Sequence, residues 1–149
     1  MSDGLDNIIK GVQDIVGAVS GIRCAPDYAP AKLPPGVSGI VLPANGTWNE
    51  RPSMVKQGLH NVNLFIMCPW ADSQKVLTLI IPFGDLIAGA LLNDRDLGGS
   101  CETYEELSYT FGPINWNAGP GMPADAIGFT FTIGGIKHHD TTSITSTTT

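Results

Sequence analysis

The residues able to do chemistry are few and scattered. His138-His139-Asp140 is the only cluster with metal-ligand character. Neighbouring residues of a strand point to opposite faces, so two adjacent imidazoles do not converge on one ion; the triplet reads as an exposed polar strand end. His60 falls on the apolar side of an alternating run and reads as a structural histidine. Asp94-Arg95-Asp96 has the charge of a small ion-binding loop but not the ligand spacing of a calcium site, and reads as a solvated turn. Glu102, Glu105 and Glu106 form the main acidic cluster and read as a charged strand edge, a device that discourages unwanted pairing. Gly119-Pro120-Gly121 is glycine-rich, but proline lacks the N–H that a phosphate cradle uses. The P-loop pattern, G-x-S-x-G and H-E-x-x-H are all missing. No residue is assigned a catalytic, cofactor-binding or metal-binding role. A small enzyme or ligand-binding domain, built around His60, His138 and Asp140, stands as a rival that a metal assay would detect.

Three tryptophans, Trp48, Trp70 and Trp116, fall in or beside expected loops. A loop tryptophan either caps the core or anchors a protein partner, since Trp is enriched at binding hot spots. Cys24, Cys68 and Cys101 form an odd, sparse set without C-x-x-C spacing, which describes neither a disulfide framework nor a zinc site. They read as reduced core thiols.

These residues sit in a chain of 149 residues with 42% apolar and 15% charged positions. The length suits one domain. The charged fraction is low against a typical ~25%, which argues against a solvated disordered chain and for a surface partly covered by something else. The formal net charge of −6 disfavours a reader of duplex DNA, because phosphate affinity needs a basic surface. The start, Met1-Ser2-Asp3-Gly4, has no basic segment followed by an apolar run, so no signal peptide is expected. Val76–Leu92 is interrupted by Pro82, Gly84 and Asp85 and reads as a buried amphipathic element rather than a membrane span.

The elements that position these residues follow from periodicity and punctuation. Leu5, Ile8, Ile9, Val12, Ile15, Val16 and Val19 recur at helical spacing, predicting a helix over Leu5–Val19 that Gly21 stops. Pro26, Pro30, Pro34 and Pro35 make residues 25–35 an extended loop. Val37–Leu42 reads as a short strand, Pro43-Ala44-Asn45-Gly46 as a hairpin turn, and Thr47–Arg51 as a ragged return strand. In Leu59–Cys68 a period of two puts Val62, Leu64, Ile66 and Cys68 on the core face. Phe65 and Met67 predict that the other face is also covered at that end. A second helix begins at Asp72 or Ser73 and runs to Leu92, kinked or restarted at Pro82. Asn93–Gly99 is a polar loop, Tyr104–Phe111 a strand, Gly112–Pro123 a loop, and Ala126–Ile136 the last strand. Gly128 and Gly134 leave one face of that strand thin, as if another backbone lies close. From Asp140 the tail is almost wholly Thr and Ser and is expected to be disordered when the chain is alone. The expectation is an α+β fold: one domain over 1–139 with a tail at 140–149, and a mainly antiparallel sheet with two helices packed on one face.

The order of elements resembles that of the tail-terminator (minor tail, tail-completion) proteins of long-tailed bacteriophages. The likeness rests on the amphipathic first helix, the proline-rich stretch, Ser38-Gly39-Ile40-Val41-Leu42-Pro43, the strand through Val62–Cys68, the helix with Val76, Ile80, Ile81 and Pro82, and Ala126-Ile127-Gly128-Phe129-Thr130-Phe131-Thr132-Ile133. It covers most of residues 5–138 and is one of order, size and texture. The resemblance implies a non-enzymatic, cofactor-free virion protein, assembled in the host cytoplasm and placed at the tail or neck. It implies a ring-forming subunit, a homohexamer, with the tail-tube protein on one face and the head-side connector on the other. Phage DNA would pass through the lumen without sequence-specific binding, and no membrane would be involved. On this reading Pro30, Pro34, Pro35, Trp48, Arg51, Trp70 and Trp116 are interface candidates, and the 25–35 and 112–123 loops face partners. Asp94, Asp96, Glu102, Glu105 and Glu106 are candidates to line the channel. A connector stopper is the main neighbouring alternative; a tail-tube subunit is disfavoured because tube proteins need a long stacking hairpin and the sequence predicts none beyond 43–46. A monomeric adaptor is the remaining rival.

Overall fold

The computed structural model describes residues 5–24, 36–50, 56–69, 73–116, 121 and 125–140. In chain order the elements are α1 (Leu5–Gly17), β1 (Ile22–Cys24), β2 (Val37–Glu50), β3 (Lys56–Pro69), α2 (Ser73–Ile80), α3 (Pro82–Leu92), β4 (Glu106–Ile114) and β5 (Ala126–Asp140). The strands form one sheet in the order β1-β2-β3-β5-β4. Every pairing is antiparallel except that of the three-residue β1, which runs parallel to the start of β2. The fold is α+β, as the sequence predicts.

Register divides the side chains cleanly. Val62, Leu64, Ile66 and Cys68 of β3 share a face with Val41 of β2 and with Ile127, Phe129, Phe131 and Ile133 of β5. All are buried, and they form one core with Ile8, Val12 and Val16 of α1, Ile80 of α2, and Phe83, Ile87 and Leu91 of α3. All three helices therefore cover the same face. Each fully buried side chain of this kind contributes about 1.5–3 kcal/mol. On the opposite face Ile40, Met67 and Ala126 are buried beneath Leu42, Phe65, Ile114 and Trp116. The double-sided covering expected from Phe65 and Met67 is thus present.

Close approaches explain three glycines. A Cβ on Gly39 would come within 2.5 Å of Val16, so its absence lets α1 lie on β2. A Cβ on Gly84 would sit 2.7 Å from the Phe129 ring, where α3 lies over β5. A Cβ on Gly128 would run into the Ile66 carbonyl, so the close backbone expected beside this glycine is that of β3.

Three expectations need correction. Asn45-Gly46 is not a hairpin turn: β2 runs through it, paired with β3 from Ser38↔Met67 to Glu50↔Lys56, with a bulge between Pro43 and Asn45. Gly46 is there because a Cβ would fall 2.6 Å from His60 Nδ1, and Asn45 Oδ1 accepts a hydrogen bond from the Asn61 amide. The hairpin is the far longer β2–β3 pair of 14-residue strands. Of the two outcomes expected at Pro82, a kink or a restart, the structure has the restart: Pro82 cannot donate to the turn before it, and α3 begins with this proline in its first turn. β4 begins later than expected and continues through Gly112 and Pro113 to Ile114, pairing with Ala126. β5 likewise continues to Asp140 alongside Lys56. Residues 25–35, 51–55, 70–72 and 141–149 lie outside the described residues, and with them the proline loop and the tail.

Candidate functional site

The site begins with the placement of α3. Gly84 lets this helix press onto Phe129 of β5, and Ile87 and Leu91 fix it there. β4 lies one strand further out, at the edge of the sheet, beyond the cover of the helix. Its pairing with β5 places Leu107, Tyr109, Phe111 and Pro113 on the helix-bearing face, and Ser108 and Thr110 on the other, opposite Thr132 and Thr130. Tyr109 is consequently 62% exposed and Phe111 38% exposed.

Between α3 and β4 runs an apolar groove with a cavity of about 380 Å³. Phe129 and Phe131 form its floor, Ile81, Gly84 and Ala88 the helical wall, and Tyr109 and Phe111 the strand wall. The aromatic rings support one another: Phe111 meets Phe129 edge-on at 4.8 Å, Tyr109 meets Phe129 at 5.5 Å, and Phe129 stacks on Phe131 at 5.6 Å. Asp85, in the first turn of α3 where the helix dipole favours an anion, is the only charged residue of the lining among the described residues. Ile81 on the rim is 53% exposed. The groove can hold apolar side chains, and the β4 edge beside it can pair with backbone.

The sequence candidates are distributed as follows. Trp48 lies in β2, not a loop; it reaches across Gly58 to meet His60 edge-on at 5.0 Å and remains 55% exposed. His60 beneath it is buried, as a structural histidine should be. Trp116 meets Phe65 edge-on at 5.7 Å and caps the second core cluster, while its backbone N–H donates to Asp125 at 2.6 Å. Pro30, Pro34, Pro35, Arg51 and Trp70 lie outside the described residues. The expected 112–123 loop is shortened by β4, which claims Gly112, Pro113 and Ile114.

The acidic candidates gather in one segment at the start of β4. Asp94 accepts from Gly98 N–H at 3.0 Å and Asp96 from Gly99 N–H at 3.2 Å, which closes the loop after α3. The Gly98 hydrogen bond, followed by one with Asp96, holds the Asp94 carboxyl below the usual range. Glu102, Glu105 and Glu106 are exposed, and Glu105 lies 3.6 Å from Lys137. Cys101 lies among them: burial, then the charges of Asp96, Asp94 and Glu102, push its thiol up to about 11. Tyr104 pins this segment to the body. Its buried hydroxyl donates to the Leu91 carbonyl at 2.7 Å, and the Arg95 guanidinium covers its ring at 4.4 Å while donating to its carbonyl.

Among the described residues no group of three His, Cys, Asp or Glu side chains could hold a metal ion, and no helix is long and apolar enough to cross a membrane. Tyr109, Phe111 and Ile81 were not singled out by sequence reasoning; the alternation in Leu107–Phe111 gives their face but not their exposure. No protein-family model matches the chain, and no curated protein matches it.

Proposed function

We propose that the chain is a structural subunit of a long-tailed bacteriophage, a tail terminator that forms a hexameric ring on the tail tube, stops its polymerisation and offers a surface to the head-side connector. The observation that carries this reading is a single sheet with two open and unlike edges. Among the described residues β1 covers only Val37 and Ser38 of β2, so the outer edge of β2 is open from Gly39 onward, and β4 is open along its whole length. A ring closes through heterologous contacts, in which one surface of a subunit meets a different surface of its neighbour. Opposite edges of one sheet, one beside an aromatic groove, supply two such surfaces. The segment Asp94–Glu106 gives each copy a concentrated negative charge, which suits a lumen that repels phosphate and lets DNA slide.

The long β2–β3 hairpin favours a second reading, the tail-tube subunit. Its two 14-residue strands meet the requirement for a stacking hairpin that the sequence did not predict. Electron microscopy of particles made without this protein separates the readings. Overlong tails support termination, tails of normal length unjoined to heads support a connector stopper, and particles with no tails support a tube subunit. Normal tails joined to normal heads overturn all three.

A further inference from the structure

The groove between α3 and β4 has a definite electrostatic sign. Gly84 and Ala88, one turn apart on α3, carry too little bulk to fill the space between helix and strand, and the cavity of about 380 Å³ that remains falls within the range of small-molecule sites. The rings around it take two orientations. Phe129 and Phe131, inclined by 25°, form the floor, whereas Tyr109 and Phe111 stand at 65° and 62° to Phe129 and form the strand wall. The face of an aromatic ring is the negative part of its quadrupole, so rings that bound one cavity at crossed angles attract a cation set among them. Asp85 adds a full charge of the same sign to the lining. Among the described residues the ion pairs join Lys10 to Asp6 and Lys137 to Glu105, and Asp85 has no basic partner.

The same lining selects the head group of the cation. A primary ammonium or a guanidinium presents several N–H donors, and the side-chain acceptors of the described lining are the Asp85 carboxylate and the Tyr109 hydroxyl. Donors turned toward the phenylalanine rings would be left unsatisfied, at a cost in free energy. An ammonium that is fully alkylated has no donor to satisfy, and its methyl groups pack on ring faces while its charge meets their quadrupoles. We propose that the groove binds a small quaternary ammonium ion, with the alkylated head among Tyr109, Phe111 and Phe129 and the Asp85 carboxylate balancing its charge. The formal net charge of −6 favours the approach of such an ion. The assignment does not rest on the ring-subunit reading. The cavity lies on the helix-bearing face, whereas β4 pairs through its backbone in the plane of the sheet, so a bound ion leaves that edge open.

The test titrates the full chain, with its Phe and Tyr rings isotopically labelled for NMR, at neutral pH and constant ionic strength. The probes are choline, its neutral isostere in which a tert-butyl group replaces trimethylammonium, and n-butylammonium, which has a primary head. Choline should shift the Tyr109, Phe111 and Phe129 resonances to saturation, bind at least about tenfold more tightly than the neutral isostere, and bind more tightly than n-butylammonium. Tyr109→Phe keeps the ring and should hold choline affinity within about twofold, whereas Tyr109→Leu keeps apolar bulk without a ring and should weaken choline at least about threefold while leaving the isostere unchanged. Asp85→Asn should weaken choline by a similar factor. Tyr109 and Asp85 are both exposed, so these variants should retain the parent's thermal melt. Equal affinity for choline and the neutral isostere overturns the inference, because the groove is then merely apolar. Tighter binding of n-butylammonium overturns the quaternary head, and the lack of a saturable shift with choline overturns the site outright. Choline affinity unchanged in both Tyr109→Leu and Asp85→Asn also overturns it. Each of these failures leaves the ring reading standing.

Discussion

Single side chains hold the acidic segment in place, and their chemistry is measurable. Tyr104 is almost wholly buried, and its hydroxyl donates to the carbonyl of Leu91 in the last turn of α3, which also accepts from the Asp94 N–H at 3.2 Å. Tyr104→Phe removes one of the two donors to that carbonyl, so the chain should lose about 0.5–1.5 kcal/mol, read as a lower urea midpoint at unchanged slope. Cys101 reports the electrostatics of the same segment. Its thiol titrates near 11 because burial and three carboxylates oppose the thiolate. Only the thiolate alkylates, so peptide-resolved iodoacetamide labelling of Cys101 at pH 8 should be slow against a free cysteine, and should rise about tenfold per pH unit toward 11. Asp96→Asn removes one of the opposing charges and should speed labelling; an unchanged rate would mean that the carboxylates do not act on this sulfur. The linkage has a definite sign. A thiol raised in the folded state contributes stability that is complete below the unfolded value near 8.5 and is lost as pH rises toward 11.

Elements are fixed by where backbone approaches backbone, and two glycines make opposite predictions. Gly128→Ala drives a methyl into the Ile66 carbonyl between two paired strands and should cost at least ~3 kcal/mol in chemical denaturation. Gly89 is exposed within α3 with open space around it, so Gly89→Ala should stabilise by about 0.5–1 kcal/mol through helix propensity and a less disordered unfolded chain. Elements with long, unambiguous periods were legible in the sequence: α1 from its helical apolar spacing, β3 from strict alternation, and the restart at Pro82 from the missing donor. Asn45-Gly46 misled because its turn signal is local, while the pairing of β2 with β3 spans the strand and His60 requires a residue without a Cβ. β1 escaped notice because three residues carry no period. The groove was illegible for a different reason. Alternation puts Tyr109 and Phe111 on the core face, but only the lateral position of α3 determines that the core ends one strand short of them.

At the scale of the whole molecule, charge and apolar surface act against each other. In the proposed ring the groove and the two sheet edges, open among the described residues, would favour association, whereas six copies of a chain carrying −6 would bring together a formal −36. If Asp94, Asp96, Glu102, Glu105 and Glu106 converge on a lumen, their repulsion is the term that salt removes, since the Debye length falls from about 30 Å at 0.01 M to about 10 Å at 0.1 M. The proposed ring should therefore strengthen as sodium chloride rises over that range, the reverse of an assembly held by ion pairs between subunits. Replacing Glu102, Glu105 and Glu106 with Gln should raise the assembled fraction at low salt and flatten its salt dependence, measured by light scattering at fixed protein concentration. These three side chains are exposed, so a change in assembly without a change in melting temperature isolates the electrostatic term. Gln variants that assemble with the parent's salt response would place the charge on the outer wall, where it serves solubility and has no bearing on the passage of DNA.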